Sequence, residues 1–143
     1  RHAIPLMKAQ RSGAIINMSS NAGLSGCPLR SPYAASKWAA IGLAKTWAME
    51  LGPWNIRVNA LCPGSVSGPR IEGVITRDAE ARGMTPDAIR RVYQRQGSLR
   101  QFTDPEDIAA MVAFLAGPGG KKVSGQAIAI DGHTESLANW LDP

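Results

Sequence analysis

Apolar and polar positions along the chain alternate between short apolar runs and longer stretches of helical character. Residues 2–10 read as the tail of a helix that Ser12-Gly13 ends. Ala14-Ile15-Ile16-Asn17-Met18-Ser19 follows, a short Ile-rich run that predicts a buried strand of a parallel sheet. Residues 32–51, PYAASKWAAIGLAKTWAMEL, are strong helix formers with Pro32 in the first turn and Gly52-Pro53 as the stop. Ile56 to Leu61 predicts a second strand, ended by Pro63-Gly64. Residues 70–82 and 86–96 predict two short, charged helices parted by Gly83 and Thr85-Pro86. Thr103-Asp104-Pro105-Glu106 then offers a cap, a first-turn proline and a Glu to close a capping box. In the helix it starts, Ile108, Met111, Val112 and Leu115 fall at i, i+3, i+4 and i+7 and predict one buried stripe. Gly117-Pro118-Gly119-Gly120 ends that helix, and Gln126 to Ile130 predicts a third strand.

Strand and helix alternating in this way predict an α/β fold, a doubly wound parallel sheet of about three strands with flanking helices. The first strand, with Ile15, Ile16 and Met18, reads as buried on both faces and as a member of the sheet interior. Three strands leave it an unpaired edge unless something upstream covers it. No repeat or low-complexity linker divides the chain, so residues 1–143 read as one unit.

Composition narrows the picture. The 143 residues are 44% hydrophobic and 19% charged, which suits a globular domain rather than a disordered segment. No apolar run has the length of a membrane span, and Pro5 interrupts the start before a signal sequence can form, so a cytoplasmic protein without membrane attachment is expected. Arg1 in place of Met suggests a fragment, a processed chain or restarted numbering. Cys27 and Cys62 have no spacing of a disulfide framework and read as reduced thiols. The net charge is +5, but Arg70, Arg77, Arg82, Arg90, Arg91, Arg95 and Arg100 are interleaved with Glu72, Asp78, Glu80 and Asp87. That mixture suits solvated helix faces and not a nucleic-acid stripe. His2 and His133 lack any ligand pattern around them, so no metal is expected.

The candidate chemistry begins with Tyr33 and Lys37, four apart and therefore on one face of the long helix. A free tyrosine ionises near pH ~10, and an ammonium held beside a phenol favours the phenolate. Taken alone, such a pair reads more simply as a surface tyrosine and a solvated lysine. Ser20 changes the weighing. It stands thirteen residues before Tyr33, at the end of the Ile-rich strand, where parallel sheets bind ligands. Pro63-Gly64 closes the next strand at the same edge, and Asp131-Gly132 closes the third.

With GAIINMSS, PYAASK, NIRVNALCPG, DPEDIA and SGQAIAIDG in this order, the chain resembles the classical short-chain dehydrogenase/reductase family over essentially its whole length. The resemblance implies a Rossmann-like fold and an NAD(P)-dependent oxidoreductase that interconverts an alcohol and a carbonyl. It implies Tyr33 as general acid/base and Lys37 as the partner that supports the phenolate and bonds the nicotinamide ribose. Ser20 matches the hydroxyl that orients the substrate oxygen, with Ser19 structural. Pro63, Gly64, Ser65 and Val66 match the turn whose backbone faces the nicotinamide. Residues about 68–98 match the substrate lid, and the long helix 32–51 matches the contact through which members form homo-oligomers, here expected to be tetramers. Ala35, Ala39, Ala40, Ala44 and Ala48, beside Trp38 and Trp47, suit such close approach.

Two departures stand out. Members often carry a Thr four residues after the turn glycine, reaching toward the cofactor phosphates; here it is Gly68, with Ser67 or a backbone amide as a substitute. The Gly-rich phosphate loop and the residue that selects NAD or NADP belong to an N-terminal half that this chain lacks, so the chain alone is expected to be inactive. The main rival reading is an incomplete, non-catalytic member acting only through subunit contacts, and a partner chain supplying the missing half would restore the enzyme reading. A third reading, nucleic-acid binding through the basic lid, has weak charge support and no recognised binding module. Cys27 is left between a pocket role and a spacer role, and Arg70 between a substrate contact and a solvated side chain.

Overall fold

β2 (Ile56–Pro63) is the centre of the molecule, because apolar residues stand on both of its faces. Ile56, Val58, Ala60, Leu61 and Cys62 are all buried there. The computed structural model describes residues 2–137. β1 (Gly13–Met18) pairs with β2 in parallel, from Gly13 opposite Ile56 to Met18 opposite Leu61. β3 (Ala127–Ile130) pairs with the other side of β2, from Ala60 opposite Ala127 to Pro63 opposite Ile130. The order β1-β2-β3 is that of the chain, so all three C-terminal strand ends lie at one edge.

Helices make the crossovers. α1 (Ala3–Ala9) precedes β1. α2 (Ser31–Leu51) joins β1 to β2 and lays Ile41, Ala44 and Leu51 on the sheet, with Trp47 and Ala48 packed beside them. Ala44 is fully buried and lets the helix come close. Each of the larger side chains contributes about 1.5–3 kcal/mol by leaving water. Between β2 and β3 come α3 (Pro69–Arg82), α4 (Pro86–Gln94) and α5 (Pro105–Ala116). α3 and α4 form a helical hairpin with a small core of its own, Ile71, Ile75, Ala79 and Ile89. Gly83, in the left-handed region at φ 62°, ends α3, and the Thr85 hydroxyl accepts from Ala88 N–H to start α4.

The structure corrects three expectations. β1 is not buried on both faces; its residues are half-buried and Met18 is 49% exposed. The reason is its place at the edge of the sheet, where no described strand pairs with its outer side. The Asn17 Nδ2 group is buried there without a hydrogen-bond partner among the described residues. The stripe on α5 is likewise buried only at Leu115, since α5 packs toward this open edge. Finally, Asp104 and Asp107 close the capping box of α5, not Glu106. Pro105 takes the first helical position, so Asp107 is the third, and its carboxylate accepts from Asp104 N–H at 2.9 Å.

Arg57 has a role that its sequence position did not disclose. Its guanidinium donates to Leu115 O, to Gly120 O at 2.8 Å and to Ala116 O at 3.2 Å. Helix C-termini leave carbonyls without partners, and one side chain of β2 satisfies those of α5.

Candidate active site

The site is built at the C-terminal edge of the sheet. Ser19 extends the ladder past β1 by donating its N–H to Leu61 O at 2.7 Å. Its hydroxyl donates to Lys37 O at 2.8 Å, which ties the strand end to α2 and is the structural role expected for it. Ser20 opens the single 3-10 turn Asn21–Gly23, its Oγ accepting from Ala22 N–H at 3.2 Å. Gly23 makes this packing possible, because a Cβ there would lie 2.6 Å from Ser19 Oγ and 2.9 Å from Lys37 O. The turn is thus pressed against the start of α2, where Tyr33 and Lys37 stand.

Lys37 donates from Nζ to Met18 O at 3.2 Å, and the same ammonium lies 5.5 Å from the centroid of the Tyr33 ring. The lysine is therefore anchored to the strand end and held over the phenol. Tyr33 is 37% exposed, open enough for a ligand to reach. On the far side, the chain leaves β2 through Pro63-Gly64-Ser65-Val66. Gly64 N–H donates to Ile130 O at 3.0 Å, and a Cβ at Gly64 would come within 2.8 Å of Asp131 Cβ. Only glycine allows the turn to pass β3 so closely. Hydrogen bonds of 2.9 Å from Ser67 N to Thr103 O and from Thr103 N to Ser65 O hold it to the start of α5.

An open cavity of about 580 Å³ lies between these elements. Ser20, Tyr33 and Lys37 line it, and so do Pro63, Gly64, Ser65 and Val66. The structure thus brings all seven sequence-predicted residues to one place. Ile71, Val74 and Tyr93 of the α3–α4 hairpin also line it. Cys27 and Arg70 also line the cavity, Cys27 half-buried and Arg70 exposed.

The Ser67 hydroxyl donates to Asp104 Oδ1 at 2.5 Å, at the start of α5. Gly68 has φ 130°, a conformation that disfavours any side chain, so the backbone itself excludes a Thr from this position.

Sequence reasoning missed Asn21. Ser20 Oγ donates to Asn21 Oδ1 at 3.2 Å, Asn21 Nδ2 donates to Thr134 Oγ1 at 3.0 Å, and Thr134 donates in turn to Asp131 Oδ2. No spacing rule joins residues 113 apart. It also missed Arg30 and Tyr93 as wall residues. The signal for Arg30 was present, since it stands three residues before Tyr33 at the N-cap of α2. Burial, with Asp78 adding to it, pushes the Tyr93 phenol up, so it remains a neutral hydroxyl. Burial likewise pushes the Cys62 thiol up. Among the described residues no cluster of His, Cys, Asp or Glu could hold a metal ion, and no helix is long and apolar enough to cross a membrane.

Comparison with known proteins agrees with this fold. A family model described as Enoyl-(Acyl carrier protein) reductase matches residues 1–133. The 3-oxoacyl-(acyl-carrier-protein) reductase of Thermotoga maritima is 40% identical over 129 residues, 90% of this chain and 48% of that protein. The actinorhodin polyketide ketoreductase solved with NADPH superposes with a TM-score of 0.82 at 31% identity, over 88% of this chain and 48% of that one. NAD+-bound xylitol dehydrogenase superposes with a TM-score of 0.80 at 32% identity, over 89% of this chain and 51% of that one. The chain spans about half the length of the curated relatives it matches.

Proposed function

This chain belongs to the classical short-chain dehydrogenase/reductase family, and from that premise we propose that the complete protein interconverts an alcohol and a carbonyl with a nicotinamide cofactor. The observation that carries the reading is the convergence of Ser20, Tyr33, Lys37 and the turn Pro63–Val66 on one cavity. The residues present suit the nicotinamide end of such a cofactor. Lys37 Nζ donates one of its three N–H groups to Met18 O, which leaves donors for a ribose, while the backbone from Pro63 to Val66 borders the same space. When bound, the cofactor supplies or accepts the hydride.

This chain's own residues handle the proton and the geometry. In the oxidative direction Tyr33 Oη takes the proton of the substrate hydroxyl as the C–H hydride departs and the carbonyl forms. In reduction the same phenol returns a proton to the oxygen that becomes the hydroxyl. Lys37, over the ring, favours the negative charge that develops on the phenol oxygen. Ser20 holds the substrate oxygen by hydrogen bonding, exchanging its bond to Asn21 for one to the ligand. The α3–α4 hairpin, residues about 68–98, serves as the lid that excludes water.

The test is Tyr33→Phe in the complete protein, followed by nicotinamide absorbance. Turnover falls by about 10²–10⁴-fold, whereas cofactor affinity stays within a few-fold. A Phe variant that keeps most of its kcat overturns the assignment of the general acid/base.

The open outer edge of β1 and the unpartnered Asn17 amide support a further part of the reading. We infer that additional strands cover this edge and contribute the phosphate-binding loop, either from residues beyond this chain or from a second chain. The exposed Trp38, Leu43 and Met49 on α2 support homo-oligomer formation, a tetramer in this reading.

A further inference from the structure

The cavity has a charge pattern that the proposed reaction does not use. Its described wall carries three cations, Arg30, Lys37 and Arg70, and no carboxylate. Lys37 is accounted for by Met18 O and the Tyr33 ring. Arg30 and Arg70 are not: neither guanidinium has a hydrogen-bond or ion-pair partner among the described residues. Two other arginines of the same hairpin are differently placed. Arg82 is paired with Asp78 at 2.7 Å, and Arg90 takes both oxygens of Glu72 at 2.6 and 2.5 Å. Glu72 and Asp78 are thereby committed within the hairpin, and no acid on the described cavity wall offsets Arg30 and Arg70.

The two guanidiniums approach from different elements. Arg30 is the N-cap residue of α2 and shares the first turn with Tyr33; Arg70 is in the first turn of α3. Both helix ends add positive potential of their own, from 21 and 14 residues of aligned peptide dipoles. Beside them the wall is apolar, with Ile71 and Val74 from α3 and Pro28 from the loop before α2. The neutral Tyr93 hydroxyl completes this end of the cavity.

Resting on the oxidoreductase reading above, we propose that Arg30 and Arg70 bind a carboxylate of the substrate, so that the substrate class is a hydroxy acid and its oxo acid with a short apolar body. A guanidinium offers paired N–H donors in the plane a carboxylate requires, and two of them lining one cavity from separate helices can hold it. Tyr33 and Ser20, which line the same cavity, then meet the hydroxyl carbon. Because both arginines are exposed, the attraction weakens with salt. A cofactor phosphate is the other anion that a cavity of this kind receives, and Arg70 follows the turn Pro63–Val66 closely enough to serve one.

Calorimetry on the complete protein, saturated with cofactor, decides the matter. Straight-chain 3-hydroxy acids of four to eight carbons are titrated at low ionic strength, each beside its methyl ester. At least one acid is expected to bind about tenfold more tightly than its ester. In the double variant Arg30→Gln, Arg70→Gln that preference shrinks to within about twofold, and Arg30→Lys, Arg70→Lys restores part of it, with cofactor affinity unchanged in both. No acid preference anywhere in the series overturns the proposal, and so does a preference that survives the Gln variant. A Gln variant that loses cofactor affinity instead assigns the arginines to the cofactor and also overturns it. Acid preference in a protein without turnover leaves the carboxylate site standing and sinks the oxidoreductase reading. Turnover of neutral alcohols with no acid preference does the reverse.

Discussion

In the proposed reaction Tyr33 and Lys37 divide the work of the site at the scale of single residues. Only Lys37 is bonded to the strand end and placed over the phenol. Lys37→Ala is therefore expected to damage cofactor affinity and turnover together, whereas Tyr33→Phe damages turnover alone; steady-state kinetics with a separate cofactor titration checks the split. The two cysteines differ as sharply. Cys62 is fully buried in β2, and burial raises its pKa, so its thiol stays neutral. Cys27 is half-buried and lines the cavity. Treatment of the native protein with a maleimide is expected to label Cys27 and spare Cys62 until denaturant is added. Mass spectrometry counts the adducts, and a label on Cys62 in the native protein counts against the packing described for β2.

At the scale of elements, two polar clamps hold the crossovers in place. The Arg57 clamp joins β2 to the C-terminus of α5 through Leu115 O and Ala116 O and to the turn after it through Gly120 O. Arg57→Leu leaves those carbonyls unpaired and is expected to cost about 1–3 kcal/mol, read from the midpoint of denaturant unfolding with an unchanged slope. The Glu72–Arg90 pair joins α3 to α4. Its hydrogen bonds lower the Glu72 pKa below the ordinary 4.5. A depressed folded value means that the contribution is complete above about 4.5 and is lost as pH falls through the lower folded value. Acidification below that point is thus expected to lower the protection of the α4 amides, read as exchange relative to the intrinsic rate at the same pH. Glu72→Gln, which has no carboxyl to protonate, shows a smaller change over the same interval, as hydrogen exchange by mass spectrometry can test. Equal acid responses in the two proteins would mean that the pair does not hold the hairpin.

On the scale of the whole molecule, two stretches of apolar surface bear on assembly. One is the outer edge of β1 with Met18 and the half-buried stripe of α5; the other is the outer face of α2. A surface helix of a monomer shows one apolar stripe, while α2 is apolar around most of its circumference. Ala44 and Trp47, which the sequence offered to a subunit contact, are spent on the sheet instead. Ala35, Ala39, Trp38, Leu43 and Met49 remain exposed. Each 100 Å² of such surface removed from water contributes about 2.5 kcal/mol. The complete protein is accordingly expected to be an oligomer at micromolar concentration, and Trp38→Glu is expected to weaken it. Light scattering of both proteins measures this, and a monomeric parent protein sinks the assembly reading.

Local physics, acting along the sequence by itself, determined the elements and most of the site. Helix formers, prolines in first turns and glycine stops placed α2, α3 and α4 to within a few residues, because such signals act over one turn. Ser20, Tyr33, Lys37 and the turn Pro63–Val66 were legible because each sits at a strand end or on one helix face, and a parallel sheet gathers strand ends at one edge. Burial was the part least accessible to local reading. β1 is apolar in sequence yet half-exposed, since burial depends on what lies beside a strand and not on its own residues. The polar chain from Ser20 through Asn21 and Thr134 to Asp131, the Arg57 clamp and the cavity lined by both Arg30 and Arg70 all bring together residues far apart in sequence. Periodicity records which way a side chain faces within its own element; which residue it meets is decided only when the sheet and its crossovers bring the elements together.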